Sequence, residues 1–217
     1  MVALKGAFID VGAGLLGALP NVVVFQFNPD QLTRNPTRAQ PPPPPDGSGS
    51  RAARQQPGMP PETISFTLNV DATDQLASGS LTAAASGILP TLSALELLMV
   101  PKGSLTRDLF TLGGGKKPHR HPPESLPTVL LFWGPFRILP VAVTSLSITE
   151  TEYDTRLTPV RAEVSVNLQI LTPDQLKGQD LASGAYAYSQ GVKEVMAALN
   201  LANAAEFGVS SVLSFSI

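Results

Sequence analysis

Cysteine is absent from the 217 residues, which excludes disulfides, thiolate-bound zinc and thiol catalysis. Charge is scarce too: Asp, Glu, Lys and Arg make up 15% of the chain, against roughly a quarter of an ordinary soluble domain. The formal net charge is −2 with both signs interspersed, so no basic field is offered to a phosphate backbone and no nucleic-acid binding is expected. Long hydrophobic runs are also missing. The most apolar early stretch, VGAGLLGALP (11–20), follows Asp10 and ends in proline, too short to cross a bilayer. Only Lys5 could serve as a basic flank, so neither membrane insertion nor a signal peptide is expected, and synthesis is expected in the cytoplasm.

Apolar residues reach 43% of the chain, an ordinary share for a core-forming domain. Its length lets it bury a real core without disulfides. A soluble chain with a normal core and little charge is expected to cover polar surface against other subunits.

NVVVFQFN (21–28) is a β-branched and aromatic run that reads as a strand stopped by Pro29, since proline cannot donate to a ladder. The tract from Asn35 to Glu62 is rich in Pro, Gly, Ser, Gln and Arg and includes five consecutive prolines, Pro41–Pro45. It has little to bury and reads as a surface insertion, partly polyproline II. ETISFTLNVDATD (62–74) alternates Ile64, Phe66, Leu68 and Val70 with polar residues, the pattern of a half-buried strand. The insertion therefore reads as an overgrown hairpin connection between two strands. Leu92, Leu95, Leu98 and Met99 recur at helical spacing within 88–100, with Pro90 in the first turn and Pro101 at the end.

A second polar insertion (102–127) precedes TVLLFWG (128–134). In the strand that follows, Val141 and Val143 share one parity, whereas Leu146 and Ile148 take the other, which predicts a β-bulge near Thr144 or Ser145. VRAEVSVNLQI (160–170) alternates without exception and extends for roughly 35 Å. Val160, Ala162, Val164, Val166, Leu168 and Ile170 make its apolar face; Arg161, Glu163, Ser165, Asn167 and Gln169 make its wet one. Beyond Pro173, residues 192–207 favour a helix and VSSVLSFSI (209–217) reads as a strand.

Candidates for chemistry are few. His119, His121 and Glu124 in HRHPPE are spaced to chelate a metal, but a Pro-, Lys- and Gly-rich loop gives them no rigid support. GGGKKP (113–118) lacks the spacing of a phosphate loop. Asp71 and Asp74 in DATD end a strand and are read as turn caps, with paired-carboxylate hydrolysis as the catalytic alternative. No GxSxG elbow is present. No catalytic, metal or cofactor site is expected.

Long one-sided strands need a cover for the apolar face, and few strands leave long edges exposed. The 88–100 helix is expected to cover one side, with the C-terminal helix as a further candidate. Closure with other copies would remove the edges and put the wet faces on a water-filled lumen. A monomeric β-sandwich binding module is the alternative.

VVFQFNPDQLTR, GMPPETISFTLNVDATDQL, GILPTLSALELLMVP and PTVLLFWGPFRILPVAVTSLSITETEYDTRLTPVRAEVSVNLQIL occur in this order over about 21–172. Together they resemble the tube-like adaptor family of contractile injection systems, with FxFNPxxLxR and WGPFR as the most specific parts. The resemblance implies a mainly β fold with α, in which antiparallel sheets of several protomers share a barrel in a homo-hexameric ring with an outer helix. It implies a bacterial phage-tail-like particle, with an inner tube or tube-initiator protein, a VgrG-like spike and baseplate subunits as partners, and neither catalysis nor cofactor. Carried onto this chain, fold and subunit contacts fall on Phe25, Phe27, Asn28, Pro29, Leu32, Arg34, Asp71, Asp74, Trp133, Gly134, Pro135, Phe136 and Arg137. Burial of Trp133 against the helix is the plain packing alternative for an aromatic beside Gly-Pro, and Arg161, Glu163, Ser165, Asn167 and Gln169 are expected to line the lumen. The expected division is an N-terminal segment (1–20), the β domain (21–172, insertions about 35–61 and 102–127) and a C-terminal segment (173–217). Many relatives continue into a LysM-like module, and residues 173–217 are not expected to form one.

Overall fold

The computed structural model describes residues 4–11, 21–37, 61–101 and 127–206. The VGAGLLGALP stretch beyond its first residue, most of both insertions with HRHPPE and GGGKKP, and the C-terminal VSSVLSFSI lie outside the described residues.

Seven strands form one all-antiparallel sheet: β1 (Ala7–Asp10), β2 (Val22–Val24), β3 (Thr33–Pro36), β4 (Glu62–Asp71), β5 (Val129–Phe132), β6 (Ile138–Tyr153) and β7 (Pro159–Ile170). Their order is β2-β1-β5-β6-β7-β4-β3. The helices are α1 (Thr73–Ala77), α2 (Leu81–Ser86), α3 (Leu89–Leu97) and α4 (Asp180–Glu206), with a 3-10 turn at Pro173–Leu176. No described helix is long and apolar enough to cross a membrane.

The two ends of the sheet order, β2 and β3, are consecutive in the chain, so the sheet must curl until its edges approach. The link between them does the joining. Phe25 drops into the core, and its ring stands 5.1 Å from Phe8 and 5.8 Å from Phe66. The Gln26 side chain then pairs with the backbone of Asp71, donating to its carbonyl (2.6 Å) and accepting from its N–H (2.9 Å). No ladder runs between β2 and β3, so the sheet stays open. Inside the curl lie Phe8, Phe66, Val129, Leu131, Val141, Val164, Val166 and Leu168, with Leu92, Leu95 and Leu98 from α3 and its C-terminal turn.

The bulge falls where the parity change predicts it: the β6–β7 register shifts between Val143 and Ser145 and returns Leu146 opposite Val166 and Ile148 opposite Val164. The apolar face of β7 is buried from Ala162 to Ile170, as its alternation requires. Gly87 permits the chain to enter α3. It has φ 55°, and a Cβ there would stand 2.1 Å from the Pro159 carbonyl, which accepts the Ile88 N–H at 3.0 Å.

Three expectations need correction. The strand read over 21–28 ends at Val24: Phe25 still gives its N–H to the Gly6 carbonyl at 2.8 Å, and Gln26 then turns away to Asp71. The proline-rich insertion does join a hairpin, but its first strand is β3, paired with β4 from Thr33–Ser65 to Pro36–Glu62; TRNP carries no alternation that marks it as a strand. Trp133 stands edge-on to Phe66 (5.1 Å) and Phe25 (6.1 Å) and packs on the core. The C-terminal helix does not simply join α3: Leu176 and Ala182 bury Leu130 and Ile9, which alternate with the core-facing Leu131 and Phe8. That second covered face lets β1, read in the sequence only as part of an N-terminal segment, stand inside the sheet between β2 and β5.

Candidate assembly interface

The wet face of the long strands is a ladder of hydroxyls and amides. Glu163, Ser165 and Asn167 are exposed there, and Arg161 and Gln169 half-exposed. Their partners across the ladder are Ser145, Ser147 and Thr149 on one side and Thr63, Ser65, Thr67 and Asn69 on the other. Asn167 donates to Ser145 Oγ (3.0 Å) and accepts the Thr144 hydroxyl at its carbonyl (3.0 Å). Arg161 is compensated, with Nε on Asp71 Oδ2 at 2.8 Å and its terminal nitrogen on Glu152. The Thr73 hydroxyl and N–H, and then Arg161, hold the Asp71 carboxyl below the usual carboxylate range, against the opposing pull of burial. A hydrolytic acid needs the reverse shift. Asp71 thus caps the turn into α1 through Thr73 N–H at 2.7 Å, and Asp74 lies exposed in the first turn of α1.

The margins carry the stronger signal. In an antiparallel strand, successive residues point their main-chain groups to opposite sides. The Ala72 N–H bonds the Val160 carbonyl, so even-numbered residues of β4 face β7 and odd-numbered ones face away. Ser65 faces β3 and Asp71 is capped by Gln26. Between them, Thr67 and Asn69 turn N–H and C=O to the margin, where no described strand pairs with them. A groove of about 470 Å³ lies there, with Asp30, Gln31 and Thr33 on its other side. On the far margin, β5 covers β6 only from Ile138 to Val141. Beyond the bulge, Ser145, Ser147 and Thr149 face β7, leaving the main-chain groups of Leu146, Ile148 and Glu150 directed outward without a described strand partner.

The two motifs singled out in the sequence meet in space. Asn28 accepts the Gly6 N–H (3.0 Å) and donates to the Leu4 carbonyl (2.8 Å), while WGPFR makes the β5–β6 turn through Trp133 N–H to Arg137 O (2.8 Å), with Gly134 at φ 80°. Phe25, Asn28, Pro29, Trp133 and Gly134 then share a hollow of about 230 Å³. Leu32 packs on the core, and Arg34 bonds Glu62, which also takes Lys193 of α4 at 3.2 Å. Pro135 O accepts the Tyr188 hydroxyl at 2.8 Å, tying this turn to α4. Phe27 and Phe136 are exposed. Asp71 and Asp74 are not part of this hollow. Sequence reading missed Gln26, Gly6 and Glu62; a glutamine in an apolar run gives no sign that it will cap a backbone 45 residues away.

Among the described residues no group of three or more His, Asp or Glu is placed to hold a metal. The sheet is open among the described residues, with one hydrated face and main-chain margins that no described strand pairs. Residues 17–179 match the family described as contractile injection system tube protein, and the chain belongs to that family. It is a tube-type structural protein, a component of phage-tail-like particles. No curated protein matches the chain.

Proposed function

We propose that this chain forms a homo-hexameric ring that joins the inner tube or tube initiator to the spike and baseplate hub, leaving a hollow conduit. The observation that carries this reading is the pair of unpaired margins, Thr67 and Asn69 on β4 and Leu146, Ile148 and Glu150 on β6, at opposite sides of one block of long strands. Main-chain groups in such positions pair with another chain or stay hydrated. Joining these margins around an axis closes the sheets of several protomers into one barrel. The hydroxyl and amide ladder, including Arg161, Glu163, Ser165, Asn167 and Gln169, then lines the bore, and the helices stay outside it. A near-neutral bore suits varied cargo, because it adds no strong field of its own. The FxFNP and WGPFR residues fix the subunit shape from which the margins project, and the β domain with its two insertions is the ring-forming unit.

Proline at a margin removes a donor that the protomer itself does not use. Thr67→Pro and Glu150→Pro are therefore expected to fold and to be missing from particles assembled with their partner proteins. Detection of either variant in particles at the normal level, or a particle map showing this chain without main-chain pairing between copies, overturns the reading.

A further inference from the structure

The hairpin joining β6 to β7 turns through Thr155, Arg156 and Leu157. Asp154 N–H donates to Thr158 O (2.9 Å) and Leu157 N–H to Asp154 O (3.1 Å). This is the three-residue loop whose last member takes the left-handed conformation, and Leu157 has φ 62°. Glycine or asparagine suits that position, because elsewhere Cβ crowds the following carbonyl. Leu157 is the one non-glycine residue with positive φ among those described. Its side chain is 80% exposed, so the protomer gains no burial in return for the strain.

The turn is nonetheless held firmly. The Asp154 carboxylate accepts the Arg156 N–H (2.7 Å) and the Thr158 N–H (2.8 Å), and the Arg156 guanidinium reaches the Ala84 carbonyl of α2. The first residue of α2, Leu81, is 86% exposed. The two most exposed large apolar side chains among the described residues thus belong to two elements fastened together at one end of the sheet. A leucine at a left-handed position that glycine would occupy with less strain, and with no burial inside the molecule, points to a contact outside it.

We propose that Leu157 is an axial contact, a knob that enters an apolar socket on a ring of a different protein stacked against this end. This rests on the ring reading above. Copies within one ring meet at the strand margins, whereas a hairpin tip points along the strands and out of the rim. Two copies stacked tip to tip would set knob against knob. Stacked head to tail, the tip would meet the end that α4 already covers through Pro135, Ile138 and Glu62. The occupant is therefore another chain of the particle.

The test uses full-length protein in particles assembled with their partner proteins. Leu157→Gly relieves the backbone and removes the knob: its melting temperature is expected at or above wild type, with at least a ten-fold loss of the chain from particles. Leu157→Met keeps an apolar knob and is expected to be retained. A photo-crosslinking side chain at position 157 is expected to capture a different protein. Normal incorporation of Leu157→Gly, or capture of a second copy of this chain, overturns the proposal. Lateral pairing is scored separately by the Thr67→Pro and Glu150→Pro variants. Their exclusion from particles alongside normal Leu157→Gly removes the knob and keeps the ring, whereas normal behaviour of all three removes both.

Discussion

The sheet has two halves built on opposite economies. In β1, β5 and the start of β6, stretches of about four residues are covered on both faces, by the phenylalanine core on one and by the end that holds Leu176 and Ala182 on the other. In β4, β7 and the end of β6, strands run to 10, 12 and 16 residues, yet only one face is buried and the outer main-chain groups have no described strand partner. Short strands persist where side chains close over them from both sides. Long ones can leave a face in water because strict alternation concentrates their apolar atoms on the other. The difference teaches which half belongs to the protomer and which is left for its neighbours.

The sharpest way to break that contrast is to charge each face of β7 in turn. Val164 is wholly buried, and Val164→Lys is expected to yield no folded protein, since an unpaired buried ammonium costs about 4 kcal/mol or more. Asn167→Lys, three residues away on the wet face, is expected to fold with a melting temperature within a few degrees of wild type. Comparable loss in both variants, measured by soluble yield and thermal melting, would show the faces to be wrongly assigned.

Truncation compares the two halves directly. Leu131→Ala, in the half covered on both faces, is expected to cost about 3 kcal/mol in urea unfolding. Leu146→Ala, only partly covered beyond the bulge, should cost about 1 kcal/mol. A reversed order would mean that the end of β6 is better packed within the protomer than its burial indicates.

The smallest effect concerns pH. Hydrogen bonds from Thr73, with Arg161, lower the folded pKa of Asp71. The stability it adds is present above the ordinary carboxylate pKa and is lost as pH falls through the lower folded value. Asp71→Asn should therefore flatten a small part of the acid limb of a stability–pH curve and leave the curve at neutral pH flat. An unchanged acid limb would show that Asp71 is not tied to its turn.

Much of this architecture was readable before any coordinates. The ten-residue β4 and twelve-residue β7 announce themselves because every second residue is apolar, and the bulge announces itself as a change of parity between Val143 and Leu146. What escaped were elements whose stability comes from elsewhere. β3 reads TRNP and pairs because β4 offers a ladder; β1 is four residues whose two faces are buried by chains far away in sequence; Trp133 finds its ring partners only when the sheet curls. The candidate interface divides in the same manner. The wet face of β7 is legible as a list of polar residues, but which main-chain groups stay unpaired depends on how far β5 and β3 run along their neighbours.

The sequence by itself determined the identity of the long strands, the faces they bury and the family to which they belong, because side-chain period is local and each residue carries its own transfer free energy. Only the tertiary structure decided where the sheet stops. Pairing at a margin is a relation between distant segments: the bond from Gln26 to Asp71 and the short reach of β5 depend on where other parts of the chain come to rest.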